Sequence, residues 1–215
     1  MAADGKRRGG RSKSSERWLQ RQRKDRYTRQ AQAGGLPSRA YYKLAELDER
    51  CGLLRPGLRI LELGAAPGGW TRYLENSRPA LLIACDPSPI TCSAATLVVE
   101  GRFGEDEAVA VAIADLLRDG PLDLVLSDMA PTMSGVRAAD QARAVALAEL
   151  TLEAAERFLK PGGDLLVKIF QGEGFEELVS EIRSMFDKVR ILKPKASRSE
   201  SREVYLVGRQ FLARR

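Results

Sequence analysis

The sequence predicts an α/β protein with a mostly parallel sheet covered by helices on both faces. Three observations carry that prediction. Short apolar runs alternate with helix-like stretches from Leu58 onward. The first four runs are almost continuously apolar, as parallel strands buried on both faces are. The first run empties into a loop of small residues, Gly64-Ala65-Ala66-Pro67-Gly68-Gly69, of the kind that lets a ligand approach a helix start.

The elements follow in chain order. Residues 1–14 are mostly Gly, Ser, Lys and Arg, and bury too little to offset the entropy of ordering. They are expected to form a disordered basic tail. Residues 15–37 read as a basic arm, with Trp18, Leu19 and Tyr27 among many Arg and Lys and a helix ending near Gly34-Gly35. One domain is expected over 38–215. Ser38 is expected to cap a helix that stops at Gly52, with Leu44, Leu47 and Cys51 on one face at i, i+3 and i+7. Strands are expected at 58–63, 80–86, 122–128, 164–170, 188–193 and 203–211. The clearest helix, Ala139–Leu159, is rich in Ala, Leu and Glu and is stopped by Pro161-Gly162-Gly163. No internal repeat interrupts this order.

Composition narrows the chemistry. The 215 residues include 35 Lys and Arg, 29 Asp and Glu, and no histidine. That excludes a Ser–His–Asp triad, a Cys–His dyad, an imidazole base and any His-ligated zinc or haem, and no metal site is expected. The net charge of +6 is unevenly spread. It is +8 over residues 1–30, −9 over 31–187 and +7 over 188–215. Two basic ends around an acidic middle suggest a polyanionic partner, nucleic acid first; the plainer reading of the tail is a solvated charge run. The longest uncharged run in the apolar part of the chain, Pro87 to Val99, has 13 residues, too few for a membrane span. The N-terminus lacks the apolar block of a secretory signal. Cys51, Cys85 and Cys92 show no CxxC spacing and read as reduced thiols of a cytoplasmic protein, with a monomer as the default.

The loop after the first strand is the first chemical signal. Asp86 ends the second strand, 22 residues after Gly64, where an acidic side chain grips ribose hydroxyls. The spacing GxGxxG is absent and Pro67 removes an N–H, so no cradle for a pyrophosphate remains. An adenosine-containing cofactor without a diphosphate fits, namely S-adenosylmethionine; the competing reading is a tight structural turn. Asp128 stands at the end of the third apolar run, in Ser127-Asp128-Met129-Ala130-Pro131. Lys168 sits amid five apolar neighbours, and Glu203 opens the last run. Each has an ordinary reading, as a turn residue, an edge-strand lysine and a surface charge. Strand order can bring all three to one rim.

In these residues and their settings the chain resembles the FtsJ/RrmJ family of ribosomal RNA ribose 2′-O-methyltransferases, of the bacterial type that acts on a uridine of 23S RNA. The matching segments are SERWLQ, SRAYYKL, LELGAAPGGW, SDMAPTMSG, KPGG, VKIFQGEGF and SRSESREVYLV, from about Ser15 to Val207. The resemblance implies a Rossmann-like methyltransferase fold with a seven-stranded sheet. It also implies S-adenosylmethionine as cofactor, and the assembled large (50S) ribosomal subunit with its RNA as partner. It implies a catalytic tetrad of Lys43, Asp128, Lys168 and Glu203. It implies cofactor contacts at Gly64, Gly68, Gly69, Trp70, Asp86 and Asp128. One step departs from the family. Gly101-Arg102-Phe103 stands where an acidic residue meets the adenine amino group, and arginine has only donors. The contact then falls to Glu105 or Asp106, or to backbone groups.

Without histidine, the proton of an attacking hydroxyl falls to a lysine. Burial beside a sulfonium and near Lys43 favours a neutral Lys168, while Asp128 and Glu203 favour the charged form. Lys168 therefore either accepts the proton or orients the hydroxyl while proton loss follows attack. Asp128 would position Lys168, with Lys43 and Glu203 orienting the ribose. Trp18, Tyr27, Tyr41 and Tyr42 are candidates for stacking on bases, with core packing as the alternative. Other chemistries fit less well. No cysteine is placed for C5-pyrimidine methylation, and the step after Asp128 lacks the proline-aromatic pattern of amino methylation. A non-catalytic RNA-binding scaffold has no use for Lys168.

Overall fold

A computed structural model of the chain describes residues 25–213. The tail expected over 1–14, and the arm before Asp25 with Trp18, lie outside the described residues. Helix α1 (Arg26–Ala33) begins where the Asp25 carboxylate accepts the Thr28 N–H at 3.1 Å, and ends at Gly34 as expected. Helix α2 (Ala40–Cys51) ends at Gly52, also as expected. Its start differs. Arg39 occupies the cap position, and the Ser38 hydroxyl accepts the Ala40 N–H at 3.2 Å from one residue further out. Leu44 and Leu47 are fully buried, whereas Cys51 is half-buried.

The rest of the chain alternates as the apolar runs require. It comprises β1 (Arg59–Leu63), α3 (Gly69–Asn76), β2 (Leu81–Asp86), β3 (Leu97–Glu100), α4 (Glu107–Leu116) and β4 (Leu122–Ser127). Then come α5 (Arg137–Phe158), β5 (Leu159–Phe170), α6 (Phe175–Met185), β6 (Phe186–Leu192) and β7 (Glu203–Phe211). One seven-stranded sheet has the order β3-β2-β1-β4-β5-β7-β6. The first five strands in that order are mutually parallel, and β7 runs antiparallel to both β5 and β6.

Two features depart from the sequence reading. Strand β3 is not announced by the pattern: it is four residues long at the sheet edge, with Leu97 and Val98 38% and 50% exposed. Pro161-Gly162-Gly163 does stop the long helix, but the chain turns at once into an extended path. Strand β5 therefore starts at Leu159, with a register shift between Leu122 and Leu124 on its neighbour.

Alternation along the strands divides the interior into two cores. Leu61, Leu63, Ile83, Val125 and Val167 pack with α4, α5 and α6. Ile60, Leu82, Leu124, Leu126, Leu166 and Tyr205 pack with Leu44 and Leu47 of α2 and Trp70 and Leu74 of α3. Glu62 and Lys168, two residues on from Ile60 and Leu166, share the α2–α3 side by the same period. The chain reverses its direction of travel across the sheet between β1 and β4, which opens a crevice beyond their C-terminal ends. No helix among the described residues is long and apolar enough to cross a membrane. All three cysteines are free thiols.

Candidate active site

Four charged side chains meet on the α2–α3 side of the sheet, at the ends of three strands. Lys168, 8% exposed, donates to the Asp128 carboxylate at 3.0 Å and to the Asp128 carbonyl at 2.5 Å. Lys43 reaches in from α2 and pairs with Glu203 at 2.8 Å. The two pairs are joined by a residue the sequence reading left out. The Tyr205 hydroxyl donates to Asp128 Oδ1 at 2.8 Å and accepts from Lys43 Nζ at 3.2 Å. Lys168 and Tyr205 are register partners in the antiparallel β5–β7 ladder, so their side chains share a face. The signal was present: Tyr205 stands two residues after Glu203, on the same face of a strand.

The electrostatics follow from this arrangement. Burial opposes a charge on Asp128, but the Lys168 and Lys43 ammonium groups outweigh it. Hydrogen bonds from Lys168 and Tyr205 add to them, and the carboxyl is held below the usual carboxylate range. Glu203 behaves alike: burial raises it, and the charge and hydrogen bond of Lys43 bring it down. Burial, then the charges of Asp128 and Glu203, push the Tyr205 phenol well above its ordinary value. Tyr205 is therefore a neutral O–H that donates to one pair and accepts from the other.

A cavity of about 680 Å³ opens beside this array, at the crevice between β1 and β4. That size suits a nucleoside-bearing small molecule. Gly64 and Asp86 line one side, Asp128 and Met129 another, and Gly101, Arg102 and Phe103 a third. Asp128 thus belongs to both the cavity and the charged array. Gly64 has φ +74°, and a Cβ there would lie 2.7–3.0 Å from Met129, so only glycine leaves the two strand ends this close. The Asp86 carboxylate accepts from the Ala66 and Ser88 N–H groups at 3.1 and 2.8 Å. These bonds fix its orientation and leave lone pairs for a diol. The cavity's two arginines are each matched by an acid, Arg102 by Glu105 at 3.6 Å and Arg143 by Asp140 at 3.7 Å. Three lining carboxylates, Asp86, Glu105 and Asp128, with no unpaired arginine among the residues that line the cavity, suit a cationic adenosine compound better than a dinucleotide.

Three of the expected contact residues stand elsewhere. Gly68 packs under the Thr91 carbonyl and Gly69 under the Ser38 hydroxyl, each with 2.2 Å to a would-be Cβ. Trp70 is 1% exposed, and its indole N–H donates to the Ala40 carbonyl at 3.0 Å. Its ring has no surface left for a ligand, because the residue pins α3 to α2. These three shape the loop and do not line the cavity. Of the two acids near Arg102, Glu105 lines the cavity, while Asp106 caps α4 by accepting the Ala108 N–H at 2.9 Å.

Among the described residues, the start of α1 meets the segment before β7. Asp25 pairs with Arg39 and, at 3.7 Å, with Arg198; Arg39 also donates to the Ala196 carbonyl. This ties α1 to the segment just before Glu203. Tyr27 lies between the Arg26 and Arg39 guanidinium groups, each 5.9 Å from its ring centre. Tyr27 contacts Tyr42, Tyr42 contacts Tyr41, and Tyr41 contacts Tyr73, with ring centres 5.2–5.6 Å apart. The three expected tyrosines are half-buried.

Comparison with known proteins agrees with this geometry. Residues 36–211 match the model of the FtsJ-like methyltransferases. A Pseudomonas aeruginosa protein named ribosomal RNA large subunit methyltransferase E is 50% identical over 203 residues, 94% of this chain and 98% of its own length. A Legionella pneumophila protein of the same name is 48% identical over the same shares. A crystal structure from Plasmodium falciparum, described as a ribosomal RNA methyltransferase, is similar with a TM-score of 0.73 and 29% identity. It covers 83% of this chain and all of its own.

Proposed function

Because the chain belongs to the FtsJ-like methyltransferase family, it is a methyltransferase; we propose that it transfers a methyl group from S-adenosylmethionine to a ribose 2′-hydroxyl of 23S RNA. The acceptor is a uridine on the assembled large ribosomal subunit. The observation that carries this reading is the double ion pair joined by Tyr205, set against the cavity at Asp128. The name borne by the Pseudomonas and Legionella relatives supports ribosomal RNA of the large subunit as substrate.

The bound cofactor supplies a methyl group on a positively charged sulfur, already a good leaving group. The protein's task is to place the acceptor in line and manage its proton. Asp86 would hold the ribose hydroxyls of the cofactor, and Asp128 would offset its positive charge. Gly64 gives room for close approach, and Gly68, Gly69 and Trp70 hold the loop and the α3 start in shape behind it. The ammonium of Lys168 has three N–H groups, two of them spent on Asp128. The third points the 2′-oxygen along the line of attack; an ammonium so engaged is a donor only, so the hydroxyl proton passes to water as the methyl group is transferred. Asp128 positions Lys168. Lys43 and Glu203 orient the ribose, with Tyr205 keeping the two pairs in step. The basic segments hold RNA phosphates, and Tyr27 and Tyr42 offer ring faces to bases.

Labelled-methyl transfer to large subunits lacking the modification, with mapping of the product, tests the reading. A single ribose-methylated uridine is expected. Methyl on a base, or on protein, overturns it. Asp86→Ala is expected to weaken cofactor binding by roughly 10- to 100-fold, as loss of a hydrogen bond to a charged group does. Calorimetric titration reads this, with thermal melting alongside. Unchanged affinity removes Asp86 from the cofactor site.

A further inference from the structure

Near the start of α5, Gln141 is 5% exposed and makes no contact with the charged array. Its amide donates across the turn that follows β5, to the Phe170 carbonyl at 3.1 Å and the Glu173 carbonyl at 2.9 Å. Gly172, in that turn, presses against it. With φ +153°, a Cβ there would lie 2.8 Å from the amide carbon and oxygen of Gln141 and 3.1 Å from Arg202 Nη1. One helical turn further along α5, Val145 sits 2.9 Å from where a Cβ of Gly174 would be. From the opposite side, the Arg202 guanidinium donates to the Gln171 carbonyl, and the Gln171 N–H to the Arg202 carbonyl, both at 3.0 Å.

The turn is thus held from a helix and from a strand at once. It begins two residues after Lys168, and Phe170 is the register partner of Glu203. The Gln141 Oε1 atom is buried and has no hydrogen-bond partner among the described residues. A buried amide oxygen left unpaired costs stability, so glutamine is a poor choice for packing alone. Its neighbour Asp140 does for the loop leaving β4 what Gln141 does for the turn leaving β5. It accepts the Ser134 N–H at 2.8 Å, the Ser134 hydroxyl at 2.7 Å and the Gly135 N–H at 3.1 Å. Adjacent residues of one helix therefore hold the segments leaving the strands that lead to Asp128 and carry Lys168.

We infer that Gln141 is a positioning residue for methyl transfer: by fixing the Phe170–Glu173 turn it sets Lys168 against Asp128 and Glu203 against Lys43. This rests on the reading that the Lys168–Asp128 pair acts in the transfer. Gln141→Met keeps the side-chain length and removes both donated bonds. Gly172→Ala leaves Gln141 in place and drives a methyl group into its amide. At saturating RNA and cofactor, each is expected to slow single-turnover transfer by roughly 10- to 100-fold, the scale of a small misplacement near reacting groups. The double variant is expected to be slowed by less than the product of the two single effects, since both act on one turn.

Rates are measured on the full chain and expressed per cofactor-binding molecule. A purely structural role lowers the number of such molecules and leaves their rate unchanged. Where Gln141→Met does not fold, Gly172→Ala decides. Lys168→Ala is run beside them. If it keeps its rate, the reading of the pair fails and the role of Gln141 falls with it. If it is inactive while the clamp variants transfer at the wild-type rate, the reading stands and Gln141 has no positioning role.

Discussion

Lys168→Ala is expected to bind S-adenosylmethionine and to lose methyl transfer by roughly 10²-fold or more, the scale on which loss of the group that aligns the acceptor slows attack. The expectation rests on placement. Lys168 does not line the cavity, so its removal spares the cofactor contacts. It is the cation nearest Asp128 on the acceptor side, so its removal leaves that carboxylate with Tyr205 alone as a hydrogen-bond donor. Breaking a buried pair by deleting one partner also costs about 3–5 kcal/mol of stability. Lys168→Met restores most of the volume, and the two variants together separate loss of chemistry from loss of fold. Near-wild-type transfer by Lys168→Ala, measured on subunits lacking the modification, would end the assignment.

Glu62→Gln is expected to change how stability depends on pH. The Glu62 side chain is 1% exposed in β1 and accepts the Thr71 hydroxyl at 2.7 Å. Burial raises its carboxyl to about 8, and the charges of Asp128 and Asp86 push the same way against the hydrogen bonds of Thr71. An unfolded chain releases this proton near pH 4.5, whereas the folded chain keeps it to about pH 8. Between those values the folded state binds more protons, so rising pH lowers stability. The contribution amounts to roughly 3–5 kcal/mol by the time pH exceeds the folded value. Glutamine is neutral throughout and can still accept from Thr71. The two proteins should match most closely in acid and diverge towards pH 9, with Glu62→Gln the more stable. Denaturant unfolding at pH 5, 7 and 9 measures this, and parallel slopes for the two proteins would contradict it. The comparison cancels Asp128 and Glu203, whose lowered values act in the acid range with the opposite sign.

Much of this was legible in the residues. Continuous apolar runs locate β1, β2, β4 and most of β5, because a strand buried on both faces has no polar side to interrupt it. Lys168 is readable for the same reason in reverse, as a charge where burial forbids an idle one. Strand β3 is hidden because a short exposed edge carries no such pattern. The loop after β1 was legible as a ligand loop only in part. Gly64 opens onto the cavity, but the side chain of Trp70 serves the contact between α2 and α3, and nothing in the string GGW distinguishes the two uses. Tyr205 and Gln141 are unremarked in sequence because their roles come from register and from the distance between helix and turn. Both appear only once the sheet order is known.

The placement of β7 has a consequence for how the protein comes to exist. Strand β6 meets the sheet only through β7, the last strand made. Lys43 and Tyr205 touch across 162 positions of chain. The residues lining the crevice all lie between Leu63 and Leu150, whereas Glu203 and Tyr205, the partners of Lys43, stand on the strand that lies between β5 and β6. A chain cut short before Glu203 keeps every residue that lines the cavity and loses both partners of Lys43.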